Sequence, residues 1–341
     1  MAPSTITCVR HAQGYHNISV ANHSIHDPML TPAGEEQCRI LAQTFPKAHM
    51  DQVELIIASP LKRCIYTALL SFAPVIKDKG LKILLLPELQ ETSDLPCDTG
   101  STVEEIEKEF AGKPIDTSLM HKPENAEWNN KKARWAPNSS AIDARARDAR
   151  EFIYARNEKE VAVVTHGGFL HYFTGDWSDT HKLDGTPSAG MHTAIHPSLN
   201  VLHYFSPPPS PRSLHTQPSI PTSNQHVRGP PPRHYHHQPH QDHFPQLRKR
   251  VNEAKKDMRA HNHGAGTGWA NTEYRHYIFD TPSGEVALIE TPESRKKRMP
   301  DLKPLSKEEQ KNLQRATQAQ WAEQERQERE YDRVKGIQAK V

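Results

Sequence analysis

Four stretches of the chain put a charged or nucleophilic side chain directly behind an apolar run. Arg10 and His11 follow Thr5–Val9, and Ser59, Pro60 and Arg63 follow Val53–Ala58. Glu88 and Glu91 follow Leu81–Leu86, and His166 and Gly167 follow Val161–Thr165. Arginine offers a planar, permanently charged fork for a phosphate or carboxylate. A histidine among arginines stays neutral, because nearby positive charge disfavours its proton. Neutral imidazole is a nucleophile, and a neighbouring carboxylate can give and take protons. Gathered in one pocket, these residues make a phosphoryl-transfer centre that calls for neither metal nor cofactor.

The four apolar runs read as β-strands, with helical patterns between them. Thr31 and Pro32 suit the N-cap and first position of a helix whose body is AGEEQCRILAQTF. A second helix is expected over Leu61–Phe72 and a third over Ala141–Arg156, where apolar residues recur at helical spacing. Alternating strands and helices imply an α/β fold, a three-layer α/β/α sandwich around a mostly parallel sheet. In such sheets ligands bind beyond the carboxyl ends of the strands, where the four loaded stretches lie.

The chain is 341 residues long with 35% hydrophobic residues and a formal net charge of +2. Near-balanced charge argues against a nucleic-acid binder, and no apolar run reaches the roughly 20 residues of a membrane helix. The N-terminal stretch lacks the apolar core of a secretion signal. The cysteines at 8, 38, 64 and 97 form no CxxC, which fits a reduced, cytoplasmic setting.

The composition then divides the chain. Residues 1–185 read as the first part of a folded catalytic domain. Residues 186–265 hold 13 of the 28 prolines and 12 of the 22 histidines and read as a disordered insertion, with one possible strand at Leu199–Phe205. Residues 266–295 read as a hairpin, Glu273–Asp280 and EVALIE around the turn Thr281–Gly284. A lone hairpin is barely stable in water, so it is expected to join the N-terminal sheet. Residues 296–341 form a charged tail, helical or disordered, with Ser306 and Glu309 as a candidate capping box.

Arg10-His11-Ala12-Gln13-Gly14-Tyr15-His16-Asn17 resembles the opening motif of the histidine phosphatase superfamily, in the branch with the cofactor-dependent phosphoglycerate mutases. Leu30–Gln37, Ser59–Arg63, Leu89-Gln90-Glu91 and Thr165–Gly168 are similar to its later motifs, in the same order. The fungal phosphoglycerate mutase-like phosphatases are the nearest likeness, through Leu95–Gly100, Trp128–Lys131 and Trp135–Pro137. Their Gly-Thr-Gly-Trp-x-Asn segment stands here at Gly266–Asn271, beyond the Pro/His-rich stretch. That stretch is a true insertion or translated intron sequence.

The resemblance implies a phosphatase acting on small phosphate monoesters. It makes His11 the nucleophile and Glu91 the general acid, with Glu88 as competitor. Arg10, Arg63, His166 and, more weakly, Asn17 would bind the phosphoryl group, with Gly167 letting the backbone come close. A phosphoglycerate mutase and a weakly active phospholigand scaffold are the alternative readings. Asp94 and Asp98 either touch substrate or are solvated. Trp128 and Trp135, with Lys131, Lys132 and Arg134 between, form either a lid or a pinned surface loop.

The insertion's histidines could bind metal, though without a shaped spacing, and its PPPSP and GPPPR segments could contact SH3-like modules. The charged tail is a second possible protein contact. Arg295–Arg298 is a solvated charge run or a nuclear address.

Overall fold

The β-branched and aliphatic runs become the middle of a seven-stranded sheet. The computed structural model describes residues 2–178, 180, 268–281, 284–300 and 303–338. The expectations placed on 186–265, including the Leu199–Phe205 strand and the histidine ligands, lie outside the described residues.

The strands are β1 (Thr5–Arg10), β2 (Val53–Ala58), β3 (Ile83–Leu85), β4 (Ile115–Asp116), β5 (Glu160–Thr165), β6 (Tyr274–Asp280) and β7 (Ala287–Glu290). Their order across the sheet is β4-β3-β2-β5-β1-β6-β7. The first five are parallel, and β6 and β7 add antiparallel at the edge. Register does the positioning. Arg10 lies opposite Thr165 and Ala58 opposite Val164, so His11, Ser59 and His166 leave three adjacent strands at one level.

Side chains alternate between the two faces of the sheet. Val9, Ile56, Ala162 and Val164 pack under α1 (Pro32–Thr44), α3 (Lys62–Ser71) and α4 (Ala73–Lys79). Ile6, Cys8, Ile57, Val161 and Val163 pack under α6 (Ser139–Tyr154) and α7 (Gly167–Thr174). The short α2 (Lys47–Met50) and α5 (Val103–Glu109) complete the first face. Two more helices, α8 (Pro292–Arg298) and α9 (Lys307–Gln338), follow the hairpin.

Local chemistry explains the boundaries. Thr31 caps α1 by accepting from Gly34 N at 2.9 Å, with Pro32 in the first turn. A Cβ on Gly34 would come 2.1 Å from Gln13 O, so glycine lets α1 seat against the loop after β1. α6 starts two residues before Ala141 because Asn138 Oδ1 accepts from Ala141 N at 3.0 Å. β3 is shorter than Leu81–Leu86 because Leu86 opens the turn that carries Glu88.

The charged tail departs from a purely solvated helix. The Ser306–Glu309 capping box forms. Near its start, however, α9 packs Leu313 and Trp321 against the second core and buries Thr317. Arg295–Arg298 is not a loose charge run either. It is the last turn of α8, and Arg298 bonds Asp176 Oδ2 at 2.8 Å and Glu290 Oε2 at 2.6 Å.

Asp176 joins α7, α8 and α9: besides Arg298 it accepts from Ser178 N (3.0 Å) and Gln310 Nε2 (3.3 Å). Burial alone would raise its pKa, but the Ser178 hydroxyl and Arg298 bring it down to about 2. The unfolded value is about 3.9, so its contribution is complete above about pH 4 and is lost as pH falls through about 2. Asp176→Asn should cost about 2–3 kcal/mol at pH 7 by removing the carboxylate charge that Arg298 and the Ser178 hydroxyl stabilise, while Arg298 keeps its bond to Glu290. In urea unfolding, the gap between wild type and variant should close as pH approaches 2.

Candidate active site

β1 delivers Arg10 and His11 into the space above the sheet. His11 Nδ1 lies 2.7 Å from Ala12 O. A carbonyl only accepts, so Nδ1 carries the proton and Nε2 keeps its lone pair. Burial, followed by Arg63 and Arg10, holds the His11 pKa well below 6.5. His166, at the mouth of α7, has its ring centroid 5.2 Å from that of His11. Its Nδ1 lies 3.0 Å from Arg63 Nη2, and guanidinium only donates, so Nε2 carries the proton towards Ser59 Oγ at 2.8 Å. Burial and then Arg63 hold His166 well below 6.5 as well.

Arg63 is fully buried, with Nη1 on Cys97 O (2.6 Å) and Nη2 on Asp98 Oδ1 (2.8 Å). Asp98 is therefore an ion-pair partner, neither solvated nor free; its second oxygen accepts from Ser93 Oγ at 2.6 Å. Arg10 Nη1 donates to Trp269 O. The Nε atoms of Arg10 and Arg63 are buried without a hydrogen-bond partner. Two unpaired cationic donors beside a nucleophilic nitrogen are a receptacle for an oxyanion.

Glu91 Oε1 accepts from Phe169 N at 2.9 Å, and Oε2 from Gly168 N at 3.3 Å, at the start of α7. Burial first, then the charge of Asp98, raises its pKa, with Arg63 opposing. At the neighbouring Gly168 a Cβ would lie 2.7 Å from Glu91 Oε1, so glycine lets the start of α7 close on that carboxylate. Glu88 is buried too, but its carboxylate pairs with Arg134 Nη2 at 2.7 Å, which also contacts Asp148. Asn17 Oδ1 accepts from Gly14 N at 3.0 Å, closing the loop after β1.

The loop Trp128–Trp135 is pinned by both indoles, each nearly buried. Within it, Lys131 and Ala133 adopt left-handed backbone (φ 55° and 49°), which brings Lys131 Nζ to 3.3 Å from Glu91 O. Burial, then Arg145, lowers the Lys131 pKa to about 7.

Arg145 and Asp27 carry no reading in the sequence, and His16 and Asn271 stand there only as members of motifs. His16 is buried, its ring centroid lies 5.4 Å from that of His11, and its Nδ1 has no hydrogen-bond partner. Arg145, fully buried, donates to the carbonyls of Glu88 and Gln90 at 2.8 Å each and fixes the turn that bears Glu91. Its signal was present, since it lies in the 142/146/149/153 stripe of α6. Asp27 accepts from Lys62 N at the start of α3 and from Ser101 N, both at 3.0 Å. Asn271 Nδ2 donates to His11 O at 2.9 Å, so a residue 260 positions further along the chain closes on the end of β1.

This pocket, built at the carboxyl ends of a mostly parallel sheet, is that of an enzyme acting on an anion. A family model described as histidine phosphatase superfamily (branch 1) matches residues 6–204, more than half of the chain. A probable phosphatase of Schizosaccharomyces pombe is 31% identical over 201 residues, 59% of this chain and 91% of the relative. A phosphoglycerate mutase-like protein of Arabidopsis thaliana is 32% identical over 202 residues, 49% of this chain and 72% of the relative. The chain belongs to the histidine phosphatase superfamily and is a phosphoric monoester hydrolase. Among the described residues, no helix is long and apolar enough to cross a membrane.

Proposed function

We propose that the chain hydrolyses phosphate monoesters of small metabolites through a phosphohistidine on His11. The observation that carries this reading is the His11–Ala12 hydrogen bond, which leaves Nε2 unprotonated between two buried arginines and His166.

His11 Nε2 attacks phosphorus as the ester P–O bond breaks. Arg10, Arg63 and His166 take up charge on the equatorial oxygens, where it gathers in the transition state. Asn17, whose Oδ1 closes the loop after β1, and the backbone at Gly167 are assigned weaker contacts to the same group. Protonated Glu91 gives its proton to the leaving oxygen. Its carboxylate then takes a proton from water, which attacks the phosphorus and breaks the P–N bond, restoring neutral His11. Burial first, and then the arginine charge, keep both imidazoles neutral, so His11 Nε2 is ready to attack when the phosphate arrives.

The test is steady-state release of inorganic phosphate from an aryl phosphate in excess EDTA, with and without 2,3-bisphosphoglycerate. Turnover independent of both additives is expected. Phosphate release that needs the bisphosphate, or isomerisation of monophosphoglycerate in its place, would move the reading to a mutase.

A further inference from the structure

At the opposite end of the sheet from the catalytic pocket, His49 of α2, Glu160 at the start of β5 and His276 of β6 come together. Each offers one ligand atom, and these atoms all lie within 4.8 Å of one another. Glu160 opens β5 and His166 follows its end, so six residues of strand, about 20 Å, separate the two places. We propose that His49, Glu160 and His276 bind one divalent transition-metal ion of the zinc class, which ties the terminal hairpin to the N-terminal part of the domain.

Two imidazoles and a carboxylate are a donor set suited to zinc. His49 Nδ1 is 3.6 Å from Glu160 Oε1, too long for a hydrogen bond, and it is a buried nitrogen without such a partner. Ligand distances of about 2.1 Å put neighbouring atoms of a tetrahedral shell about 3.4 Å apart, close to that spacing. Thr7 Oγ1 lies 2.9 Å from His276 Nδ1 and 3.3 Å from Glu160 Oε1, so one hydroxyl orients two of the three ligands. Such outer partners are typical of built metal sites. The His49 and His276 rings stack at 4.2 Å with 19° between their planes, so the His49 ring, 37% exposed, has to rotate before both lone pairs face one ion. Lys297, whose field reaches His276, has its Nζ 2.9 Å from the Tyr274 hydroxyl.

The topology gives the ion a task. β6 pairs with β1 although more than 260 residues separate their sequence positions, so docking carries a loop-closure cost. An ion shared by α2, β5 and β6 favours the docked hairpin.

The test uses the full chain and two probes, Co²⁺ followed by its visible ligand-field band and Zn²⁺ followed by thermal unfolding. Because residues 186–265 hold 12 of the 22 histidines, wild type is compared with His49→Gln and His276→Gln, which share that background. Wild type should bind one equivalent more than either variant. At a hundredfold excess over Kd, Zn²⁺ should raise its Tm by at least about 5 °C beyond any shift in the variants. Should a variant fail to fold, histidine modification by diethyl pyrocarbonate in wild type decides, since Zn²⁺ should protect His49 and His276. Equal stoichiometry and equal Tm shifts, or modification unaffected by Zn²⁺, would overturn the site. Phosphatase turnover plays no part in these readouts, so the proposal stands or falls apart from the catalytic reading.

Discussion

His11→Ala should lower turnover of an aryl phosphate by at least about 10⁴-fold, the scale seen when a covalent nucleophile is removed. The variant should keep its fold. The His11 side chain makes its one direct hydrogen bond to its neighbour's carbonyl, whereas its main chain holds the sheet through Thr165 O and Asn271. Those backbone contacts survive truncation to alanine. Rapid acid quenching during turnover should find phosphate covalently attached to wild type and none on the variant. A variant that kept more than a hundredth of wild-type turnover would show that the phosphoryl group passes directly to water, with His11 serving only as a ligand.

Much of this site was legible because the residues proposed to bind phosphate sit at strand ends, and strand ends are where periodicity stops. β2 matched its expected bounds, and β1, β5 and α3 fell within a residue at each end, because aliphatic runs packed on both faces leave a continuous signal. The glycines of two motifs also have visible reasons: Gly34 lets α1 meet Gln13 O, and Gly168 lets α7 meet Glu91.

What stayed hidden depends on contacts between distant parts of the chain. Arg145 looks like one more basic residue of a charged helix until its stripe is compared with the core. Asp98 reads as a solvated loop acid because nothing local announces that Arg63, 35 positions earlier, lies 2.8 Å away. Asn271 and Trp269 could be matched to a motif, but not to the His11 and Arg10 groups they bond, since a long span of chain intervenes. His16 sits inside a motif already assigned to its neighbours, and only the folded loop turns its ring towards His11.

The choice between Glu91 and Glu88 has the same origin, and it yields the sharpest kinetic prediction. Burial raises the pKa of both carboxyls. Only Glu91 also feels Asp98, Arg63 and Arg10, the charged groups of the phosphate pocket, while Glu88 answers to Arg134, Asp148 and Arg145. An alkyl phosphate has a poor leaving oxygen and needs the Glu91 proton; an aryl phosphate scarcely does. Glu91→Gln should therefore cost about 10²–10⁴-fold on an alkyl phosphate and much less on an aryl one. The pH profile follows from the signs. His11 must be neutral to attack, and its lowered pKa puts the acid limb below its ordinary value of 6.5. Glu91 must be protonated to assist departure, so its raised pKa sets an alkaline limb that moves towards neutrality. Activity on the alkyl substrate should trace a bell, rising as His11 loses its proton and falling as Glu91 ionises. In Glu91→Gln the alkaline limb should vanish, because the amide does not titrate, while Glu88→Gln should leave it in place. A limb that persists in Glu91→Gln and disappears in Glu88→Gln would transfer the acid role to Glu88 and require the turn held by Arg145 to open during catalysis.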